Sequence, residues 1–316
     1  MAAIPTARVE AGSRLHAGFY HAGPGRPYSW GSAGFYSSRP RLVVEARPCP
    51  GETVVEGPRD HASVARRALE ALGLGGVCLS IVESMPRHAG LGSTTQVSLA
   101  AACAARAALG MGGCSPGEVA GVARRLGRGR VSGAGTLAFA YGGFVVDAGA
   151  PDPGGPRPLV RLDVPRDWRF VIVLPKLERG LGEAEEEALL SRPWRPSLEA
   201  ERLMAVGLLR LAAGVARGDL GEALEGLRAI QLGTGLYFSG HQGGVYRGDL
   251  QAIAGEAARN GVVLAQSSWG PALYTITTRD MAWGDAALLR SILSELGLGG
   301  EVVVAEPLNG GAGILV

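Results

Sequence analysis

Apolar and polar positions alternate over residues 6–11, and a β-branched run covers 41–47, so both stretches read as strands. Between them, residues 16–34 hold five glycines, two prolines and several aromatics, the makeup of a long loop or hairpin that carries function. A helical period covers 64–72 and a strand follows at 77–83. Residues 96–111 form a helix built largely of alanine, whose small faces permit close packing and so place it centrally. The next helix, 115–126, has Ser115 as N-cap and Pro116 at its first position. Residues 136–148 alternate enough to predict a strand hairpin about Gly142-Gly143. Four prolines and three glycines in 149–158 mark a boundary between a domain of residues 1–160 and one of 161–316. The second half reads as a strand at 169–174, helices at 197–216, 220–232 and 248–260, strands at 262–266 and 272–277 paired across Trp269-Gly270-Pro271, a helix at 286–296 and a strand at 301–306.

A chain of 316 residues exceeds one small core and agrees with about two domains. With 47% apolar and 19% charged residues it is globular in composition. Its longest apolar stretch, near 77–82, is far short of the roughly 20 residues that span a bilayer. Residues 1–14 contain no apolar run of a secretory leader, so the expected location is the cytoplasm, with no membrane partner. A net charge of +2 from 31 basic and 29 acidic residues gives no reason to expect nucleic acid as a partner. Lys176 is the only lysine, which excludes a lysine-dependent phosphate loop and leaves Schiff-base chemistry a poor prospect. Anion recognition therefore falls to arginine forks, backbone N–H groups and hydroxyls. Cys49, Cys78, Cys103 and Cys114 form no C-x-x-C pair and read as small buried hydrophobes rather than disulfide partners. No two of the five histidines have the i, i+4 spacing of a helical metal pair; His21, His61 and His241 read as surface or packing residues.

The chemistry concentrates at Pro86-Arg87-His88-Ala89-Gly90-Leu91-Gly92-Ser93-Thr94-Thr95, between a strand and the alanine-rich helix. The glycines let the backbone approach a ligand closely, and the unpaired N–H groups and dipole of the helix start favour an anion without any lysine. The hydroxyls of Ser93, Thr94 and Thr95 can donate to phosphate, and Ser93 and Thr94 are candidates to help hold Mg2+. The plainer alternative is an N-capped helix after a turn. Arg128, Arg130 and Ser132 lie in a second glycine-rich run, 127–135, suited either to another anion or to a solvated basic loop. Arg14 and His16 share one face if their segment is a strand. Gln266-Ser267-Ser268-Trp269-Gly270-Pro271 places polar groups and an aromatic between two strands, as a pocket wall or as a plain turn.

The run ending at Thr95 resembles the central motif of the GHMP kinases, P-x-x-x-G-L-G-S-[ST], and 261–277 resembles their third motif in an atypical form. That resemblance implies an α+β, two-domain GHMP-type fold: an N-terminal ribosomal-protein-like α/β domain and a ferredoxin-like C-terminal one. Residues 13–19, 88–96, 127–135, 139–149 and 266–271 together resemble the archaeal β-ribofuranosylaminobenzene 5′-phosphate synthases, over most of the chain. The resemblance implies transfer of a phosphoribosyl group from 5-phosphoribosyl 1-pyrophosphate to 4-aminobenzoate or 4-hydroxybenzoate, with loss of CO2 and pyrophosphate, in methanopterin-type cofactor synthesis, by a homodimer. On this reading Gly90, Leu91, Gly92, Ser93, Thr94, Thr95, Gln96, Ser132 and Gly133 bind the phosphate and pyrophosphate, Arg14, His16, Arg128 and Arg130 surround the reacting centre, and Ser267, Ser268, Trp269 and Gly270 line the substrate pocket. Several GHMP kinases carry an aspartate base where this chain has Gly135 in Ser132-Gly133-Ala134-Gly135. That departure weighs against an ATP-dependent small-molecule kinase; a non-catalytic phosphometabolite sensor is the rival from another class.

Overall fold

The computed structural model describes residues 6–21, 30–112, 114–149, 153–191 and 197–315. Strands β1 (Ala7–His21) and β2 (Gly31–Pro48) pair antiparallel from Ala7↔Ala46 to His21↔Gly31, with shifts of register at three points. The described parts of the glycine-rich stretch at 16–34 are thus paired strand; residues 22–29 lie outside the described residues. β3 (Val54–Glu56) leads into α1 (Arg59–Leu72) and β4 (Val77–Glu83); β4 runs antiparallel on β2, and β3 lies parallel to β4. α2 (Ser93–Ala108) buries Ala100, Ala101, Ala102, Ala104 and Ala105 completely, and these small side chains let it lie closely on α1, β1 and β2. α3 (Pro116–Arg125) starts with the expected cap, reinforced by a capping box between Ser115 and Glu118.

The hairpin expected at 136–148 is instead a helix, α4 (Ala134–Tyr141), followed by β5 (Phe144–Asp147). The sequence of α4, AGTLAFAY, is apolar on nearly every side, so periodicity carries no sign of which element it forms. Burial on both faces selects the helix, and Gly142-Gly143 turns it into β5 rather than joining two strands. β6 (Pro158–Leu162) then pairs with β5, which also pairs with β2.

β7 (Trp168–Pro175) begins a second sheet, followed by α5 (Glu183–Leu190), α6 (Leu198–Arg217), α7 (Leu220–Gln242), a 3-10 turn at Gly248–Leu250 and α8 (Gln251–Arg259). β8 (Ala265–Gln266), β9 (Leu273–Thr278), α9 (Ala282–Glu295) and β10 (Gly300–Ala305) complete it in the antiparallel order β10-β7-β9-β8. With helices on the first and last crossovers, that order is ferredoxin-like, as expected. β11 (Gly313–Leu315) returns to the first sheet and gives the order β11-β1-β2-β4-β3. Sheet membership therefore changes in the connection 163–167, and the first sheet takes a strand from each end of the chain.

α7 runs ten residues beyond the expected end at 232. Gly233 and Gly235 do not stop it because they serve close approach: a Cβ on Gly233 would lie 2.7 Å from the Met204 nitrogen, and one on Gly235 2.2 Å from the Val245 carbonyl oxygen. The two sheets share a core in which Phe35 meets Phe144 at 4.8 Å and Phe170 at 5.3 Å between ring centres. The reading of the cysteines as unbonded hydrophobes is overturned: Cys49 pairs with Cys78 and Cys103 with Cys114, at Cα separations of 5.2 and 5.5 Å. The pairing of Pro48 with Val77 brings the first couple together, and the turn after α2 brings the second. Sequence separations of 29 and 11 residues carried no signature of either pair.

Candidate active site

The start of α2 opens on a cleft of about 1440 Å³, mouth included. Its N-cap, Gly92, has φ +73°, and the first intrahelical bond runs from Gln96 N–H to the Gly92 carbonyl at 3.1 Å. The N–H groups of Ser93, Thr94 and Thr95 are therefore outside the helix's own hydrogen bonding, at its positive end. Gly90 is required for another reason: with φ +91°, a Cβ there would lie 1.9 Å from the Ser267 carbonyl oxygen. The glycine loop is clamped from the second half of the chain. Ser267 Oγ donates to the Gly90 carbonyl at 2.7 Å and accepts from His16 N–H at 2.9 Å, while Ala272 N–H bonds the Ala89 carbonyl at 3.0 Å.

β1 passes beneath this loop. Arg14 N–H donates to the Leu91 carbonyl at 3.0 Å, and its Nη1 donates to the Gly90 carbonyl at 3.2 Å. Arg14 Nε is buried with no hydrogen-bond partner. Burial lowers the guanidinium's pKa to about 10, with Glu186 drawing it back up, so it stays charged at neutral pH. A half-satisfied cation beside a helix N-terminus is a preformed anion seat.

The opposite wall is the run 127–132. Ser132 Oγ lies 2.7 Å from Ser32 Oγ, and the buried Asp147 carboxylate accepts from Ser32, Gly133 and Gly149, fixing the loop's base. Burial raises the Asp147 pKa, while those hydrogen bonds hold it down. Arg128 is half-buried on the cleft, but Arg130 is 71% exposed and pairs with Glu187 at 3.6 Å. Exposed pairs contribute little, so Arg130→Ala should raise the KM of a phosphorylated substrate only about five-fold, with a smaller effect at high salt. KM measured at two ionic strengths checks this, and a large fall in kcat would instead place Arg130 at the reacting centre.

Arg14, Gly90, Gly92, Ser93, Thr94, Thr95, Arg128, Arg130, Ser132, Ser268, Trp269 and Gly270 thus converge on one cleft. Five other expected residues do not line it. Leu91 faces the core; Gln96 is fully buried and donates to the Gly135 carbonyl at 2.9 Å; Gly133 gives its N–H to Asp147; Ser267 is the buried clamp. His16 lines a smaller neighbouring pocket with Phe19, Thr234 and Phe238, which meets the cleft at Ser268 and Trp269. Sequence reasoning missed these three residues, and also Glu186 and Glu187 of α5, whose acidic run was the available signal. The described residues hold no cluster of three or more His, Cys, Asp or Glu groups able to take a metal. Ser93, Thr94 and the two glutamates together with phosphate oxygens would nevertheless form an all-oxygen donor set of the kind Mg2+ takes.

His16 is 3% exposed, and burial together with Arg14 pushes its pKa well below the ordinary histidine value. It is neutral in the folded protein near pH 7. An unfolded chain binds a proton at this position below about pH 6.5 and the folded one does not, so the resulting stability is complete above that pH and falls as pH falls through it. Denaturant midpoints at pH 7.5 and 5.5 should therefore differ more in the wild type than in His16→Gln; equal differences would contradict the assignment.

Residues 60–143 match the model of the family described as GHMP kinases N terminal domain. The chain is 29% identical to the beta-ribofuranosylphenol 5′-phosphate synthase of Methanothermobacter thermautotrophicus, covering 96% of this chain and 97% of that one. Identity to the protein of the same name from Archaeoglobus fulgidus is 27%, covering 90% and 92%. In fold it is similar to the homoserine kinase of Cytophaga hutchinsonii, with TM-score 0.71, 18% identity and coverage of 100% and 99%. The mevalonate diphosphate decarboxylase of Staphylococcus aureus aligns with TM-score 0.65 and 13% identity over 99% and 98%. Among the described residues no helix is long and apolar enough to cross a membrane. With its glycine loop at the head of α2 and its ferredoxin-like second sheet, the chain shares the fold of these two solved enzymes, and its residues 60–143 match the N-terminal domain of the GHMP kinases.

Proposed function

We propose that the protein is a decarboxylating phosphoribosyltransferase that joins 5-phosphoribosyl 1-pyrophosphate to a para-substituted benzoate, releasing CO2 and pyrophosphate. The observation that carries this reading is the buried Arg14 guanidinium, with its unpartnered Nε, set against the start of α2 where a multiply charged phosphate fits. The relatives' name supports it, and because that name denotes a phenol, 4-hydroxybenzoate is the first acceptor to test, ahead of 4-aminobenzoate. The product would enter synthesis of a methanopterin-type carrier, in the cytoplasm, and a homodimer is the assembly to look for by light scattering.

Departure of pyrophosphate leaves positive charge on the anomeric carbon of the ribose. Arg14 and the N–H groups of Ser93, Thr94 and Thr95 would hold the leaving pyrophosphate, with Arg128 and Ser132 reaching the 5-phosphate from the opposite wall. Mg2+, when bound, would neutralise pyrophosphate charge between the hydroxyls and Glu186–Glu187. Gly135 fits this chemistry. A Cβ there would lie 3.8 Å from Arg14 Nε, so an aspartate in its place would pair with Arg14 and compete with substrate. No kinase-type base is needed, since the acceptor atom is a ring carbon that loses CO2.

The test is release of CO2 from carboxyl-labelled 4-hydroxybenzoate and 4-aminobenzoate with Mg2+ and the phosphoribosyl donor, beside a tube with ATP in place of the donor. Release that depends on the donor is expected. The kinase reading draws on the fold shared with homoserine kinase; ATP turnover with small alcohols and no CO2 release would favour it.

A further inference from the structure

Among the described residues only two other than glycine have a left-handed backbone: His88 and Ser268, each at φ +56°. Side chains seldom adopt that conformation, and where they do it gathers at ligand sites whose surroundings enforce it. Both residues line the anion cleft. They stand on loops whose backbones touch: a Cβ on Gly270 would lie 2.0 Å from the Ala89 carbonyl carbon. Each left-handed residue is pinned. The His88 carbonyl accepts from Gly180 N–H at 2.9 Å, and the Ser268 carbonyl accepts from Gln266 Nε2 at 2.9 Å. Gln266 is fixed in turn, since its Oε1 accepts from Arg247 N–H at 2.8 Å. The fold thus holds these two side chains on the cleft wall against their backbone preference.

Both side chains carry a donor with no partner. Arg87 Nη2 lies 3.0 Å from His88 Nε2. A guanidinium has donors only, so Nε2 accepts and the neutral ring carries its proton on Nδ1. Among the described residues neither His88 Nδ1 nor Ser268 Oγ has a hydrogen-bond partner. Next to Ser268, Trp269 is the one indole or phenyl ring on the cleft among the described residues. Phe238 and His241 meet it edge-on, at 4.6 and 5.6 Å between ring centres. The Gly180-Leu181 segment passes beside it, since a Cβ on Gly180 would lie 2.5 Å from the Trp269 carbonyl oxygen. About 470 Å³ of the cleft is open to the centre of a water molecule, against roughly 150 Å³ for an apolar cavity that holds benzene. There is room for a ring beside the phosphates.

We propose that His88 Nδ1–H and the Ser268 hydroxyl hold the carboxylate of the aromatic acceptor, with its ring against Trp269, while the arginines take the phosphates. The proposal rests on the phosphoribosyl-transfer reading above. The reaction calls for neutral donors at this carboxylate. A π pair of the ring bonds the carboxylate-bearing carbon to the anomeric carbon, as pyrophosphate leaves with the carbon–oxygen pair. The carbon–carboxylate bond then breaks, its electron pair restores the aromatic ring, and CO2 departs uncharged. No proton is gained or lost. An arginine fork would stabilise the carboxylate most in the ground state, where its charge is full, and so oppose its loss. Two neutral donors orient the group with less of that penalty.

The experiment measures both KM values by CO2 release, the melting temperature and inhibition by 4-hydroxybenzamide for wild type, His88→Gly, His88→Asn and Ser268→Gly. Glycine suits a left-handed backbone, so both glycine variants should fold and melt within about two degrees of wild type. Each should raise the KM for 4-hydroxybenzoate about ten-fold or more and leave the KM for the phosphoribosyl donor within about two-fold. Asparagine tolerates this backbone and brings an amide N–H in place of Nδ1–H, so His88→Asn should keep the acceptor KM within about three-fold of wild type. The benzamide sets an NH2 against the two donors. It should bind wild type about ten-fold more weakly than the acid, and the gap should narrow to about three-fold in the glycine variants. An unchanged acceptor KM in the glycine variants, a donor KM that rises instead, an acid–amide gap that survives in both, or a glycine variant that fails to fold would overturn the assignment while leaving the transferase reading intact. Absence of CO2 release in the wild type with either acid would overturn both.

Discussion

Arg14→Ala should lower kcat/KM for the phosphoribosyl donor by about 10³-fold, the upper range for loss of one preorganised charge stabiliser. The guanidinium sits under the glycine loop with one hydrogen bond to the Gly90 carbonyl and a buried Nε whose partner is the expected ligand. Arg14→Lys should not rescue activity, because a compact ammonium cannot both hold that carbonyl and present a second N–H in the same plane. Removal of a buried charge that the protein itself leaves half-satisfied should not lower the melting temperature, which separates a lost ligand contact from a lost fold. Activity within ten-fold of wild type would remove Arg14 from the anion seat.

The second large effect is Gly92→Val. Its backbone φ of +73° costs a side chain roughly 1–2 kcal/mol, and a Cβ would lie 3.3 Å from Arg14 Cβ and 3.4 Å from its Nε. The branched side chain would displace Arg14 and cover the N–H groups at the head of α2. Calorimetry should show no donor binding while the protein remains folded, with a melting temperature lower by a few degrees. Retained affinity would show that the anion binds elsewhere.

The hydroxyl run at Ser93–Thr95 was legible because its chemistry is local: two glycines, three hydroxyls and a helix start are contiguous in sequence, whereas Arg14 meets Gly90 from 76 residues away. The α+β class and the ferredoxin-like order were legible through the family motif more than through periodicity. What failed was what only packing decides. The segment AGTLAFAY carries no polar face, so burial rather than pattern makes it α4. Gly233 and Gly235 look like breaks, yet they are contact points inside α7. The pairings of Cys49 with Cys78 and Cys103 with Cys114 depend on strand register and a turn. Thr234 and Phe238 reach His16 across more than two hundred residues of chain, and only the docking of α7 on β1 brings them there.

The pairing of β11 with Arg8, Val9 and Glu10 has a consequence for synthesis on the ribosome. The β1–β2 hairpin emerges early, but the edge of β1 that β11 covers stays open until residues 313–315 have been made. A chain stalled or truncated short of them therefore offers unpaired strand backbone next to the segment carrying Arg14 and His16, a template on which other nascent chains can pair. Arrest before residues 313–315 should thus yield aggregates rather than a dispersed, partly active product, so β11 protects the edge of β1.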